Sequence, residues 1–367
     1  MRIFRGLHAW PASGLGGPSR PDPGGRALTI GNFDGVHRGH QAMLALLNAE
    51  ARQRGLRSCV VTFEPHPRDH FAATSGQPER APARIATLRD KLTDLAQCGV
   101  DDCVVLPFNA RLARQDARSF ITDTLVHRLQ ARYVLVGDDF RFGAGRAGDY
   151  GMLDAAGLAH GFDVARMQAY EVHGLRVSSS AVRLALGEGR LTDAAALLGR
   201  PYAISGHVVH GRKLGRELGA SAPGRGDGFR TLNLRFAHWK PAASGIFAVQ
   251  VHGLTTDPQA PPVPGVANLG VRPSLDPNDV NGGRVLLETH GLRALGDGLD
   301  PAFAQEAYGK IIRVELLHKL HDERRYNGLD ALTLGIAQDC ADARAFFAAK
   351  PALLHTQTRR QTTRDRI

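Results

Sequence analysis

The run TIGNFDGVHRGH, residues 29–40, puts His37 and His40 three residues apart where an apolar strand gives way to a glycine-rich turn and then a helix. A helix start carries free N–H groups and the positive end of the helix dipole, which together suit a phosphate. Gly35 and Gly39 lack Cβ atoms, so the backbone there can come close to an anion. Two imidazoles at that spot can donate hydrogen bonds to charge building on phosphorus in an in-line displacement. The same pair also fits two ordinary turn histidines or a metal pair. Against the metal, helical His pairs that hold one sit at i and i+4, as in HExxH, and no acidic third ligand is evident nearby. A second glycine-rich run, GAGRAG (143–148), satisfies G-x-G-x-x-G but follows DDFRF instead of closing a strand. It therefore lacks the strand–turn–helix context of a dinucleotide fingerprint.

These residues need a frame, and a strand–helix alternation begins at Ala27. ALTI (27–30), CVVTF (59–63), CVVL (103–106) and YVLVG (133–137) read as short buried strands. Between them, helical spacing groups Met43, Leu46, Leu47 and Ala51, then Ile85, Leu88, Leu92 and Leu95, then Ile121, Leu125 and Leu129. Repeated βαβ units with apolar strands predict an α/β domain with a doubly wound parallel sheet covered on both faces. After residue 202 the pattern changes to YAISGHVVH, TLNLRF, GIFAVQV, GVANLGV, RVLLETH and IIRVELL, separated by Gly, Pro and Asp clusters. Six strands without intervening helices predict a small antiparallel barrel or sandwich. A closing helix follows, with Leu329, Leu332, Ile336, Cys340, Ala343 and Phe347 on one stripe. The expected organisation is an α/β domain over 1–185, a connecting helix over 186–201, a β domain over 202–350 and a disordered basic tail over 351–367.

Composition narrows the class. At 367 residues with 43% hydrophobic and 22% charged side chains, the chain is neither disordered nor fibrous and can bury a core without disulfides. Its four cysteines form no CxxC pair, no apolar run approaches a membrane span, and the N-terminus lacks a secretion signal, so a reduced cytoplasmic setting without membrane contact is expected. The net charge of +10 favours anionic partners: nucleic acid, an anionic membrane or phosphorylated small molecules. With aromatics at only 6%, the stacking platforms common in nucleic-acid binders are scarce, and nucleic acid is not the expected partner.

GNFDGVHRGH resembles the HxGH signature of the nucleotidyltransferase superfamily. VTFEPHP (61–67), LRDK (88–91), VGDDFRFG (136–143) and RVSSSAVR (176–183) extend the similarity to bacterial bifunctional riboflavin kinase/FAD synthetases. In the second half GRKLGRELG (211–219), TLNL (231–234), GVANLGVRPS (265–274), LLETHGL (286–292) and LHKLHDERRYNGLDAL (317–332) resemble the kinase module of that family. The similarity runs from about residue 27 to 348.

The resemblance implies that the α/β module adenylylates FMN to FAD, and that the β module, a six-stranded antiparallel barrel with a C-terminal helix, phosphorylates riboflavin to FMN. It implies catalytic roles for His37 and His40, and ATP contacts from Gly31, Asn32, Phe33, Asp34, Gly39, Arg176, Ser178, Ser179 and Arg183. Phe63, His66, Pro67, Asp139 and Phe140 would meet the flavin. In the kinase module Glu288 matches the general base, which without the resemblance is an ordinary strand residue. Gly211, Lys213, Gly215 and Gly219 would form the phosphate loop, with Thr231 and Asn233 holding Mg2+ and phosphate. ATP is the co-substrate throughout. The sequence departs from the family pattern at Arg230, at the ASAPGRGDG insertion (220–228), at His321 and at Ser180. The alternatives are an FAD synthetase with an impaired kinase module and, from another class, a non-catalytic nucleotide- or nucleic-acid-binding protein.

Overall fold

The computed structural model describes residues 1–10, 24–172, 175–209, 231–235, 240–255, 257, 259–271, 285–293, 296–297 and 307–349. Gly211, Lys213, Gly215, Gly219, the insertion at 220–228, Arg230 and the tail at 351–367 lie outside the described residues. The chain divides into two compact units, Met1–Val182 with Leu197–Gly199, and Arg183–Ala196 with Arg200–Ile367.

The first unit is built on six parallel strands: β1 (Arg2–Arg5), β2 (Arg26–Ile30), β3 (Arg57–Glu64), β4 (Asp102–Pro107), β5 (Ala131–Gly137) and β6 (Asp163–Met167). Their order is β1-β4-β3-β2-β5-β6. The helices are α1 (Arg38–Gln53), α2 (Pro67–Thr74), α3 (Leu88–Gln97), α4 (Ala110–Arg114), α5 (Ala117–Ser119) and α6 (Tyr150–His160). Phe120–Arg128 continues α5 with a wider turn, in which Leu129 N–H reaches the Thr124 carbonyl at 2.9 Å. Strand alternation produces two cores. Val60, Cys103, Val105 and Leu135 pack with Leu44 and Leu47 of α1 and Leu95 of α3. Cys59, Val61, Val104, Val134 and Val136 pack on the other side with Phe120, Ile121, Leu125 and Leu153. The doubly wound expectation holds, and the strand order reverses between β2 and β5. In such sheets ligands bind beyond the carboxyl ends of the strands at that reversal.

Two strands exceed the expectation. β1 is a four-residue edge strand with an exposed, charged pattern, and β6 has only intermediate or exposed side chains. Neither shows the buried apolar run of β2. The second expected helix face also begins later than its apolar spacing suggests: Ile85 is buried ahead of α3, which starts at Leu88.

The short strands β7 (Glu171–Val172) and β8 (Leu175–Arg176) pair antiparallel and lead to α7 (Ser179–Gly187) and α8 (Leu191–Leu198). The second unit contains β9 (Tyr202–Val209), β10 (Leu232–Arg235), β11 (Gly245–His252), β12 (Val263–Val271), β13 (Val285–Arg293), β14 (Gly296–Asp297) and β15 (Ile311–His321). The order β10-β9-β15-β11-β12-β13, with β13 pairing back onto β10, closes a six-stranded antiparallel barrel, and β14 extends β13. Leu232, Leu234, Phe247, Val249, Leu269, Leu287 and Val314 are fully buried on one face of the strands. On the other face Ile246, Ala248 and Val266 meet Ile336, Cys340, Ala343 and Phe347 of the closing helix α9 (Leu329–Ala349). Cys340 is thus a small core residue.

Candidate active sites

The loop after β2 ends at His37, the N-cap of α1, whose Nδ1 accepts from His40 N–H at 3.3 Å. The two imidazoles stack, with centroids 3.7 Å apart and planes 14° from parallel. Gly39 permits this fold-back, since a Cβ there would approach the His37 ring to 3.3 Å. The buried Nδ1 of His40 has no hydrogen-bond partner among the described residues. Burial, then His37 and then Lys91, push the His40 pKa well below its ordinary value, so the ring is neutral at pH 7. Phe33 and Val36 hold positive φ, 49° and 38°, conformations that persist only where surroundings over-determine them. Here Gly31 N–H bonds the Val61 carbonyl at 3.0 Å, and Thr62 Oγ1 donates to the Asn32 carbonyl at 3.2 Å.

Asp34 and both serines are turned onto protein partners. The Asp34 carboxylate accepts from Ile85 N–H (3.3 Å) and Ala86 N–H (3.2 Å). Ser179 Oγ donates to the Asp34 carbonyl at 3.0 Å, and Ser178 Oγ accepts from Ala181 N–H at 3.2 Å at the start of α7. Arg176 is half-exposed and paired with Asp138 (3.2 Å) and Asp139 (3.7 Å), the residues that follow β5 at the sheet reversal. Arg183 is half-buried on α7. Across GAGRAG, Phe142 and Gly148 exchange backbone hydrogen bonds, and the run does not directly follow a strand of the sheet.

Beyond β3, the side chains expected at the flavin fall into two groups. His66 is buried with Nδ1 capping α2 through Arg68 N–H at 3.1 Å, and Pro67 occupies the first helical position, where no N–H is needed. Phe63 packs edge-on to Phe108 with centroids 5.8 Å apart, and His70 and Phe71 lie each 5.6 Å from the same ring. Phe140 stacks on Phe142 at 5.4 Å. Phe108, His70 and Phe71 give no signal in the sequence, because isolated aromatics in a loop and a short helix carry no period.

A buried charged cluster underlies this region and is equally silent in the sequence. Arg84 Nη1 donates to Asp69 (2.7 Å) and Nη2 to Glu64 (3.1 Å), with Nε 3.9 Å from Asp34. Lys91 Nζ donates to the Phe63 carbonyl at 3.4 Å and lies 3.7 Å from Glu64. Burial lowers the Lys91 pKa, Glu64 opposes that shift and Arg84 adds to it. Lys91 belongs to the LRDK motif, yet an amphipathic helix gives no sign that its charged face is turned inward.

In the second unit one row of side chains crosses three strands. Glu288 on β13 is directly opposite Asn233 on β10 and Asn268 on β12. Such cross-strand pairs have Cβ atoms about 4.5–5.5 Å apart. Asn233 is buried, and its Nδ2 donates to the Thr231 carbonyl (3.3 Å) and Oγ1 (3.4 Å). Among the described residues Asn233 Oδ1 and Asn268 Oδ1 are buried without a hydrogen-bond partner. A set of oxygens beside a carboxylate fits a hard cation such as Mg2+. Asn268 lies in the GVANLGVRPS run and was not expected at the site, although its parity with Glu288 on adjacent strands could have found it. His321 is spent on structure, with Nε2 at 2.7 Å from Asp339 of α9 and Nδ1 at 2.7 Å from the Asp322 carbonyl.

The FAD synthetase family matches residues 19–181, and the riboflavin kinase family matches residues 198–347. The chain is 43% identical over 353 residues to the bifunctional riboflavin kinase/FMN adenylyltransferase of Escherichia coli (strain K12), covering 96% of this chain and 100% of that one. It is 40% identical to the enzyme of the same name from Pseudomonas fluorescens, over 95% of this chain and 98% of the relative. Among solved structures, one described as a macrolide-efflux protein from Streptococcus pneumoniae superposes with a TM-score of 0.65 at 23% identity, covering 94% of this chain and 99% of that one, a likeness of fold.

Proposed function

The chain belongs to the bifunctional riboflavin kinase/FMN adenylyltransferase family, and from that premise we propose that it phosphorylates riboflavin to FMN in its barrel unit and adenylylates FMN to FAD in its α/β unit. The observation that supports this reading is that each unit gathers groups suited to one of the two reactions. In one unit these are the stacked His37–His40 pair at the start of α1, and in the other Glu288 between Asn233 and Asn268.

In the α/β unit, an FMN phosphate oxygen attacks the α-phosphorus of ATP and the bond to pyrophosphate breaks. No covalent enzyme intermediate is needed, so positioning and electrostatics supply the rate. The N–H groups of the first turn of α1 face the phosphates together with His37 and His40. Neutral His40 donates a hydrogen bond to the developing charge without carrying a competing proton equilibrium near pH 7. Arg176, exposed on β8, exchanges Asp138 and Asp139 for phosphate oxygens. The flavin ring lies against the Phe63–Phe108–Phe71 aromatic wall.

In the barrel unit, Glu288 accepts the proton of the riboflavin primary hydroxyl as that oxygen attacks the γ-phosphorus and ADP departs. Thr231 and Asn233 would hold Mg2+, which would supply neutralisation of the phosphate charge. We place both reactions in the cytoplasm, where ATP is available and the four cysteines, none in a disulfide, stay reduced. Among the described residues no helix is long and apolar enough to cross a membrane.

The test is incubation of the purified protein with riboflavin and Mg-ATP, with a parallel tube started from FMN, both chromatographed over time. FAD formed from riboflavin with FMN as a transient is the expected result. FAD from FMN alone would remove the kinase half of the proposal, and no flavin product in either tube would remove both halves.

A further inference from the structure

Arg84 stands between α2 and α3 with its side chain 2% exposed. A guanidinium taken out of water needs several acceptors to offset the loss. Here the Asp69 and Glu64 carboxylates accept its hydrogen bonds and the Asp34 carboxylate pairs with it by charge at 3.9 Å, from three separate pieces of chain. Asp34 belongs to the loop between β2 and α1, Glu64 ends β3, and Asp69 lies in the first turn of α2. Each is a near neighbour of a site group. Asp34 lies in the loop that delivers His37, and Glu64 follows Phe63 directly. Asp69 sits between His66, whose ring caps α2, and the aromatic pair His70 and Phe71. The backbone reinforces the link, since the N–H groups of Ile85 and Ala86 also bind Asp34.

We propose that Arg84 is a positioning residue of the adenylyl-transfer site, setting the spacing between the histidine loop and the aromatic wall that receives the flavin. The proposal rests on reading the α/β unit as an FMN adenylyltransferase. An apolar side chain would fill the same volume without desolvating a charge. A planar fork with fixed donor directions does what filler does not, because it locks Asp69 and Glu64 in one geometry while its charge faces Asp34. Lys91 cannot replace it. Its ammonium is a point charge, lies beside Glu64, and makes no bond to Asp69 or Asp34 among the described residues.

Two variants test this, Asp69→Asn and Arg84→Lys, with FMN adenylylation measured while FMN and ATP are varied separately. Riboflavin phosphorylation and thermal unfolding are followed on the same preparations. Asp69→Asn cuts only the link to α2, so the KM for FMN should rise about tenfold or more, the size of one lost charge-assisted hydrogen bond, while the KM for ATP stays within about twofold. Arg84→Lys loosens both ends, and kcat for adenylylation should fall roughly 10²-fold with phosphorylation unchanged. If Asp69→Asn leaves both KM values alone or raises them equally, Arg84 is only a core strut and the proposal is wrong. It is equally wrong if the folded fraction of Arg84→Lys turns over at the wild-type rate. Should Arg84→Lys fail to fold, Asp69→Asn decides alone. A wild-type protein that makes no FAD from FMN would instead overturn the reading of the unit, so the two failures are separable.

Discussion

Asn233 and Glu288 are direct partners across the β10–β13 pair, and Asn233 in turn holds Thr231 through its amide nitrogen at 3.3–3.4 Å. A carboxylate, an amide oxygen and a hydroxyl are thereby fixed in one corner of a closed barrel. Each is on or beside a strand whose register is set by hydrogen bonding on both sides. If Glu288 takes the substrate proton, Glu288→Gln keeps the shape and removes the base. Riboflavin phosphorylation should then fall by about 10²–10⁴, while FAD formation from added FMN continues at the wild-type rate. Assaying both reactions on one preparation checks this, and an equal loss of the two would contradict a two-site enzyme.

The His37–His40 stack makes the complementary prediction. His40→Ala should abolish FAD formation and spare FMN formation. It should also change how stability responds to pH. The His40 pKa is pushed down by burial, His37 and Lys91, so the unfolded chain binds this proton first as pH falls. Stability from the neutral ring is fully present above the unfolded value of about 6.5 and declines as pH drops towards the lower folded value. Urea unfolding of the α/β unit at pH 7.5 and pH 5.5 should therefore show a steeper loss for the wild type than for His40→Ala. Parallel losses would mean that His40 is not held neutral.

Much of this is readable in the sequence, and the part that is not has identifiable causes. Four strands of the parallel sheet, all six of the barrel and the stripe on α9 are signalled by apolar runs or period, because burial on two faces or on one face writes those patterns. β1 and β6 carry no such signal, since edge strands need not be apolar. The HxGH turn is legible because its glycines and histidines are local. Asp34, Ser178 and Ser179, the residues expected at the phosphates, have side chains hydrogen-bonded to backbone groups. Sequence spacing says which loop a group is on, not which way it points. Arg84 and Asn268 stay hidden because their partners lie on other elements, and only the sheet register and tertiary packing bring them together.

Gly35 tests how tightly the histidine loop is held. Its φ is 87°, and a Cβ there would stand 2.7 Å from Ile85 Cγ2. Gly35→Ala must therefore both strain the backbone and push the loop away from the segment that anchors Asp34. A loss of about 1–3 kcal/mol in the α/β unit is expected from the strained conformation. A displacement of about 1 Å at the catalytic pair would lower FAD formation roughly 10²-fold. Initial rates together with denaturant unfolding measure the two effects separately. A variant as active and as stable as wild type would show that the loop is slack.

Asp102 sits at the other end of the sheet and bears on stability alone. Its carboxylate is fully buried and takes paired hydrogen bonds from Arg2 (2.7 and 3.0 Å) and Arg57 (3.0 and 3.1 Å), with Arg26 at 3.4 Å. Burial alone would raise its pKa, but the hydrogen bonds and charges of Arg2 and Arg57 hold it below the ordinary carboxylate value. A depressed folded pKa means this contribution is complete above the unfolded value of about 3.9 and is lost as pH falls through the folded one. Asp102→Asn leaves buried Arg26 and largely buried Arg57 facing a neutral amide. The cost should be about 3 kcal/mol, the lower end of the range for a broken buried pair, because Arg2 is half-exposed and can turn to solvent. Urea unfolding at pH 7 should show that loss in the α/β unit, with the gap to wild type narrowing as the pH is taken towards 3. Riboflavin phosphorylation by the same variant should be unchanged, since none of these arginines belongs to the barrel. A loss below about 1 kcal/mol at pH 7 would mean that the three arginines repel each other nearly as much as Asp102 attracts them, and that β1 is held by its ladder with β4.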